Sequence, residues 1–153
     1  MTRRFIIATL ITTISLVLLV APAIAHHSFA MYDQTKTITW TGVMTQFVAQ
    51  ANHAEMHFVP LGPDGKPMRS ADGKPIQWGI EMAGAAAVAN QGITASTFPA
   101  GTIFSVKLNP LRDGSNFGSR TGTIAKCPAG KPPAAGKHCD SVEGNTLLGG
   151  TSF

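Results

Sequence analysis

The feature that most constrains the fold is a series of short segments in which apolar and polar residues alternate. The clearest spans residues 37–50, TITWTGVMTQFVAQ, where β-branched and aromatic residues alternate with polar or small ones. A period of two residues is typical of a strand with one buried face. Gly42 inside this segment predicts a bulge or a sharp bend. A β-sheet is therefore expected to organise the chain.

Further segments of similar character follow, with a single helical one among them. Strands are predicted at residues 53–60, 76–82, 101–111 and 118–127, with a short terminal strand near residues 145–150. The Ala-rich residues 83–92 predict the helix, with Gly92 as its C-cap. Three strands, a helix and two strands is the order of the OB-fold. We therefore predict an all-β fold with one short helix, a small OB-fold-like β-barrel of five to six strands, with an open sandwich as the alternative.

Two loops carry turn-forming residues. Between the second and third predicted strands, Asp64-Gly65 and Asp72-Gly73 begin two Asp-Gly-Lys-Pro units, which predict one exposed loop. Arg112 and Asp113 precede Gly-Ser-Asn, and two adjacent residues of opposite charge could be catalytic. The same residues are also typical of a turn with a local ion pair. The turn is the interpretation that we favour.

The first 25 residues have the pattern of an export signal. Two arginines precede an apolar run over residues 5–20, and an Ala-x-Ala motif ending at Ala25 follows. We predict cleavage after Ala25 and a periplasmic location with no membrane span left after cleavage; an uncleaved membrane anchor is the alternative. The predicted organisation is a signal peptide at 1–25, an N-terminal arm at 26–36 and the barrel domain at 37–153.

Composition and motifs exclude several function classes. Of the twelve Lys and Arg residues, two lie in the leader, which leaves ten against eight Asp and Glu. Without a basic stripe, nucleic acid is not an expected partner. The chain also has no Gly-x-Ser-x-Gly elbow, no readable pair of catalytic carboxylates and no glycine-rich phosphate loop. The sequence thus favours a non-catalytic domain, whose partner is an unidentified ligand or protein of the cell envelope.

Cys127 and Cys139 enclose a loop rich in proline and glycine. In an oxidising compartment these cysteines are predicted to form a disulfide. The alternative makes both of them, with His138, ligands of zinc or copper. That set lacks the paired Cys-x-x-Cys spacing of a tetrahedral site.

Four segments together resemble an uncharacterised family of exported bacterial proteins, a domain of unknown function whose mature chain begins His-His-Ser-Phe-Ala. They are HHSFAMYD at 26–33, NHA at 52–54, NPLRDGSNFGSR at 109–120 and GNTLLGGTS at 144–152. The resemblance implies a periplasmic β domain and specifies no activity. This chain departs from the family pattern at Asn52-His53, where the family has Asn-Pro-His, and in its cysteine-bounded insert.

Cleavage after Ala25 would make His26 the first residue, with a free α-amine. Such an amine has a pKa near 7.7–8.0 and an imidazole a pKa near 6.5, so both lose their protons readily around neutral pH. Together with one imidazole from elsewhere they form a T-shaped set of three nitrogens, called a histidine brace, and nitrogen donors favour Cu(II). Alternatively, the amine and His27 chelate copper as a free tail.

His53 and His57 are the candidate partners of His26, and all four histidines are tentative metal ligands. Four residues apart on one strand, His53 and His57 share a face with Cα atoms roughly 13 Å apart, too far for one ion to take both. The resemblance favours His53, and Glu55 between them is a candidate ligand or hydrogen-bond acceptor.

These observations predict a periplasmic, non-catalytic binding module whose ligand is not specified by the sequence. Copper, bound through His26 and His53, is the candidate ligand. The alternative is an interaction barrel that holds an envelope ligand or protein without metal, with an apolar or aromatic patch near Trp40 or Trp78. A copper-dependent redox enzyme is a third class, which would need an open coordination position and a substrate surface.

Overall fold

One sheet of six strands forms the framework of the computed structural model, which describes residues 30–150. The strands are β1 Ile38–Val48, β2 Glu55–Pro60, β3 Trp78–Glu81, β4 Ile103–Pro110, β5 Phe117–Lys126 and β6 Thr146–Leu148. The helix α1, Ala85–Ala89, joins β3 to β4, and one turn of 3-10 helix, Cys139–Ser141, precedes β6. All of these elements belong to the unit Asp33–Phe153.

The strand pairing closes the sheet into a barrel. β1 pairs antiparallel with β2 and with β4, β2 pairs with β3, and β4 pairs with β5. A parallel pairing between β3 and β5 closes the circle, and β6 adds to the end of β5. The neighbour order β1-β2-β3-β5-β4 is that of the OB-fold. The predicted fold class is confirmed, as a closed barrel of five strands with one extra strand.

Gly42 has a different role from the one expected. The register of β1 shifts between Met44 and Gln46, whereas Gly42 pairs regularly with Pro60 on one side and Phe104 on the other. A Cβ atom at Gly42 would lie 2.3 Å from Cδ2 of Phe58 and 2.9 Å from the carbonyl oxygen of Val59. The residue therefore permits a close approach of β2, and the bulge forms farther along the strand.

Alternating residues of the strands fill the barrel with apolar side chains. Phe104 packs edge to face against Phe58, with ring centroids 5.4 Å apart, and against Phe98 at 5.8 Å. The other fully buried members are Met44, Met56, Ile80, Val88, Ile93, Val106, Leu108 and Ile124. Val88 lies on α1, so the helix contributes to the same core. Met44 and Met56 fill irregular space in this core, as the flexible methionine side chain commonly does.

The helix is shorter than the sequence predicted. It ends at Ala89, and Gly92 lies beyond it with a φ of +79°. A Cβ at Gly84 would lie 2.2 Å from the carbonyl oxygen of Ala51, so the turn between β1 and β2 packs against the start of the helix. No helix within residues 30–150 is long and apolar enough to cross a membrane.

The loop between β2 and β3 is an ordered pair of hairpins, which we call the hairpin arm, residues 61–76. Isolated bridges pair Leu61 with Pro67 and Arg69 with Pro75. The glycines of the two Asp-Gly turns have φ angles of +76° and +80°, which glycine adopts without strain. The repeated turn sequence therefore produces two successive turns of the same kind, and most of the arm is exposed as expected.

Substituting Gly42 with Ala is expected to destabilise the barrel. The added Cβ would press on a backbone oxygen of β2, which cannot move without disturbing the strand pairing. We expect the free energy of unfolding to fall by about 1–3 kcal/mol, measured by urea denaturation. Gly150→Ala is the matched control, because nothing lies within 4 Å of a Cβ there. Equal stability of the two variants would contradict this account.

Candidate functional site

Two histidine–carboxylate pairs lie at the start of β2 and on its outer face. Nδ1 of His53 is 3.0 Å from Oε1 of Glu81, and Nε2 of His57 is 3.0 Å from Oε2 of Glu55. Glu55 and Glu81 are directly opposite each other on β2 and β3. The two pairs therefore adjoin, and each imidazole offsets the negative charge of its own carboxylate when it is protonated.

The two histidines contact their carboxylates through different ring nitrogens. His53 uses Nδ1 toward Glu81, and its side chain is 47 % exposed, so Nε2 is the nitrogen open to a ligand. His57 uses Nε2 toward Glu55 and is 32 % exposed; its ring also lies 3.5 Å from where a Cβ of Gly79 would be. Metal-bound histidines commonly have their second ring nitrogen hydrogen-bonded to a carboxylate. The His53–Glu81 pair has that arrangement with the more exposed ring.

His26 and His27 lie outside the described residues, as does the predicted signal peptide. Within residues 30–150, no three His, Cys, Asp or Glu side chains form a group that could hold a metal ion. The roles of His26, His27, His53 and His57 as ligands therefore stay predictions.

The predicted disulfide is present. Cys127 and Cys139 are bonded, with Cα atoms 4.9 Å apart, and both side chains are buried beside Ala125. Thiols joined in this way are not available as thiolate ligands, so the alternative metal set with His138 is wrong. The bond fixes the ends of residues 128–138, which we call the disulfide loop.

A chain of buried polar groups docks the end of the disulfide loop on the barrel. The backbone N–H of Cys139 donates to Oγ of Ser105 at 2.7 Å, and Oγ of Ser105 lies 2.6 Å from Oγ1 of Thr41. Oγ1 of Thr41 is in turn 2.7 Å from Nδ1 of His138. Because Thr41 and Ser105 are almost fully buried, these hydrogen bonds are shielded from water and hold His138 in one orientation.

A cleft of about 400 Å³ lies between the hairpin arm and the disulfide loop, over β1. Its lining is mostly apolar, with Trp40, Leu61, Pro63, Met68 and Pro133 among its residues. A volume of this size falls in the range of small-molecule sites. Apart from the turn repeats and the proline-rich loop, no sequence pattern indicates this cleft, because its walls are far apart along the chain.

Trp40 and Trp78, near which an apolar or aromatic patch is expected, contact each other through their rings. Their centroids are 5.3 Å apart, with planes tilted by 55°, and both side chains are half-buried against the core. Nε1 of Trp40 is buried without a hydrogen-bond partner. Trp40 also lines the cleft, so the ring pair connects the core to this opening.

The segment NPLRDGSNFGSR serves the fold. Oδ1 of Asp113 accepts a hydrogen bond from the backbone N–H of Ser115 at 2.9 Å, which lowers the pKa of the Asp113 carboxyl. Gly114 follows with a φ of +80°, so the predicted turn is confirmed. Arg120 is 2 % exposed and donates to the carbonyl of Gly122 and to Oε1 of Gln91, and burial lowers the pKa of its guanidinium.

Comparison with known proteins assigns a family. Residues 14–121 match a family of unknown function, DUF6152, and these residues are well over half of the chain. The chain belongs to this family. The matched residues include β1 to β4 and the first part of β5, whereas the disulfide loop lies beyond them. No curated protein and no solved structure matches the chain.

Removing the disulfide is expected to destabilise the domain. Replacing both Cys127 and Cys139 with Ala should lower the free energy of unfolding by about 3 kcal/mol, because the loop regains its freedom in the unfolded chain. Urea denaturation measures the change, and wild-type protein kept reduced throughout is the control that should match the variant. An unchanged stability in both would contradict a structural role for the bond.

Proposed function

We propose that this domain is a non-catalytic binding module of the periplasm whose ligand is a copper ion. The ligands would be the α-amine and imidazole of His26, exposed by cleavage after Ala25, and the imidazole of His53. The single observation that carries the proposal is the 3.0 Å contact between Nδ1 of His53 and Oε1 of Glu81, which leaves Nε2 of this half-exposed ring as the nitrogen outside that contact. A carboxylate in that position orients the ring and raises its basicity toward a metal.

The donor set suits copper for chemical reasons. Three nitrogens from one amine and two imidazoles form a strong site for Cu(II), which heads the affinity order of the common divalent ions. The amine and ring of His26 belong to one residue, so two of the three bonds cost little additional ordering of the chain. Glu81 beside His53 adds a negative charge that favours a cation nearby.

Extending the N-terminus by one residue is expected to weaken copper binding. Mature protein beginning at His26 would be compared with protein that retains Ala25, which converts the amine of His26 into an amide. We expect at least a tenfold loss of Cu(II) affinity by competition titration, together with a changed electron paramagnetic resonance spectrum. Equal affinities and identical spectra would exclude the proposed three-nitrogen site.

Substitutions at the two histidine–carboxylate pairs separate a shared site from a free chelating tail. We expect His53→Ala to weaken Cu(II) binding strongly and Glu81→Gln to weaken it roughly 10- to 100-fold, since the carboxylate orients the ring. His57→Ala is the matched control and should leave the affinity unchanged. If His53→Ala has no effect while His27→Ala abolishes binding, copper is held by the N-terminal tail alone.

The competing proposal is an interaction barrel without metal, and the cleft over β1 favours it. Such a barrel would bind its envelope ligand equally well in the presence of a chelator. If mature wild-type protein beginning at His26 does not bind Cu(II), this function is the better account of the domain.

A further inference from the structure

The cleft over β1 continues into a second, smaller cleft on the same outer face. The second has a volume of about 200 Å³ and runs over β4 and β5 toward Leu147 of β6, which is 60 % exposed. Thr39 and His138 line both clefts. The two clefts therefore adjoin at Thr39 and His138, beside the docked end of the disulfide loop, and we call them together the groove and this meeting point the junction.

The two ends of the groove differ in chemistry. The first cleft is lined mainly by apolar groups of the hairpin arm and the disulfide loop, among them Leu61, Met68 and Pro133. The second has a larger polar share, with hydroxyl and charged groups such as Thr121 and Lys107 beside the apolar side chain of Leu147. A ligand that fills the groove would therefore be apolar in the first cleft and place its polar group toward the second.

The charges along the groove favour a negative group at the junction. Lys137 lines the first cleft beside His138, and Lys107 lines the second, directly opposite Thr39 on the neighbouring strand. Asp140, in the second cleft, is the acidic side chain among the lining residues. The groove thus has one lysine in each cleft, and these two positive charges exceed the single negative charge of Asp140.

The apolar end suits a hydrocarbon chain better than a peptide. Its polar lining groups are concentrated at the junction, where Thr41 already bonds His138. A peptide in this cleft would bury backbone N–H and C=O groups without partners, which is costly. A hydrocarbon tail has no such groups and gains affinity from each carbon that leaves water.

We propose that this groove binds a small amphiphile with a single acyl-type tail and one anionic head, a carboxylate or a phosphate. The tail occupies the cleft between the hairpin arm and the disulfide loop. The head lies at the junction near Thr39 and His138, between Lys107 and Lys137. This inference is independent of the proposed copper site, because it uses a different face of the barrel and needs no metal.

Titration of the mature protein with single-chain amphiphiles below their micellar concentrations tests the proposal. The probes are dodecanoate, dodecyl phosphate and dodecyltrimethylammonium, followed by calorimetry and by the fluorescence of the two tryptophans, in buffer with a chelator. We expect both anions to bind at least tenfold more tightly than the cation, and the stronger anion identifies the head group. Equal binding of anions and cation, or no binding at all, would overturn the proposal.

A series of chain lengths tests the placement of the tail. From octanoate to dodecanoate, affinity should rise roughly threefold to fourfold for each CH2 that is buried. Met68→Gln should reduce that increase, since Met68 lines the apolar end. A capped apolar hexapeptide that binds more tightly than dodecanoate would instead assign the groove to a polypeptide and overturn the proposal.

Variants of the lysines test the placement of the head. We expect Lys107→Met and Lys137→Met each to weaken dodecanoate binding about fivefold to tenfold and to leave the binding of the cation unchanged or stronger. Lys131→Met is the matched control, since Lys131 is an exposed residue of the same disulfide loop that lines neither cleft. Identical affinity in all three variants would overturn the assignment of the head to the junction.

Discussion

The parallel pairing of β3 with β5 is the contact on which the rest of the structure depends. It extends over three residue pairs, in which Gly79, Ile80 and Glu81 lie opposite Phe117, Gly118 and Ser119. These strands are separated in sequence by α1 and β4, so their pairing converts a row of antiparallel strands into a closed barrel. The shared core and the outer faces that carry both candidate sites exist only because that closure occurs.

Gly79 makes the closure sterically feasible, and Gly118 permits the close approach of β5 to β4. A Cβ at Gly79 would lie 2.3 Å from the ring of Phe117, and one at Gly118 would lie 2.5 Å from Leu108 and 2.7 Å from the carbonyl oxygen of Asn109. Gly118 belongs to the segment that also supplies the Asp113 turn and the buried Arg120. The most distinctive segment in the second half of the chain is thus explained by folding, and needs no catalytic role.

The barrel carries the two candidate sites on outer faces that differ in chemistry. The face of β2 and β3 presents imidazole and carboxylate groups, where His53 is oriented by Glu81. The face of β1 and β4 carries the groove, with walls contributed by the hairpin arm and the disulfide loop. Covalent closure between Cys127 and Cys139, with the hydrogen bonds that hold His138, fixes one wall of the groove before any ligand arrives.

Local patterns were enough to predict the strands, the single helix and the Asp-Gly turns, because these depend on periodicity and turn chemistry. The cysteine pairing was predicted from the expectation of an oxidising compartment. The order of the strands and the helix also predicted the barrel. The folded arrangement alone shows that Gly42 is a point of close packing, that His53 contacts Glu81, and that Thr39 and His138 line both clefts. Such contacts depend on the register between strands distant in sequence, which local patterns do not encode.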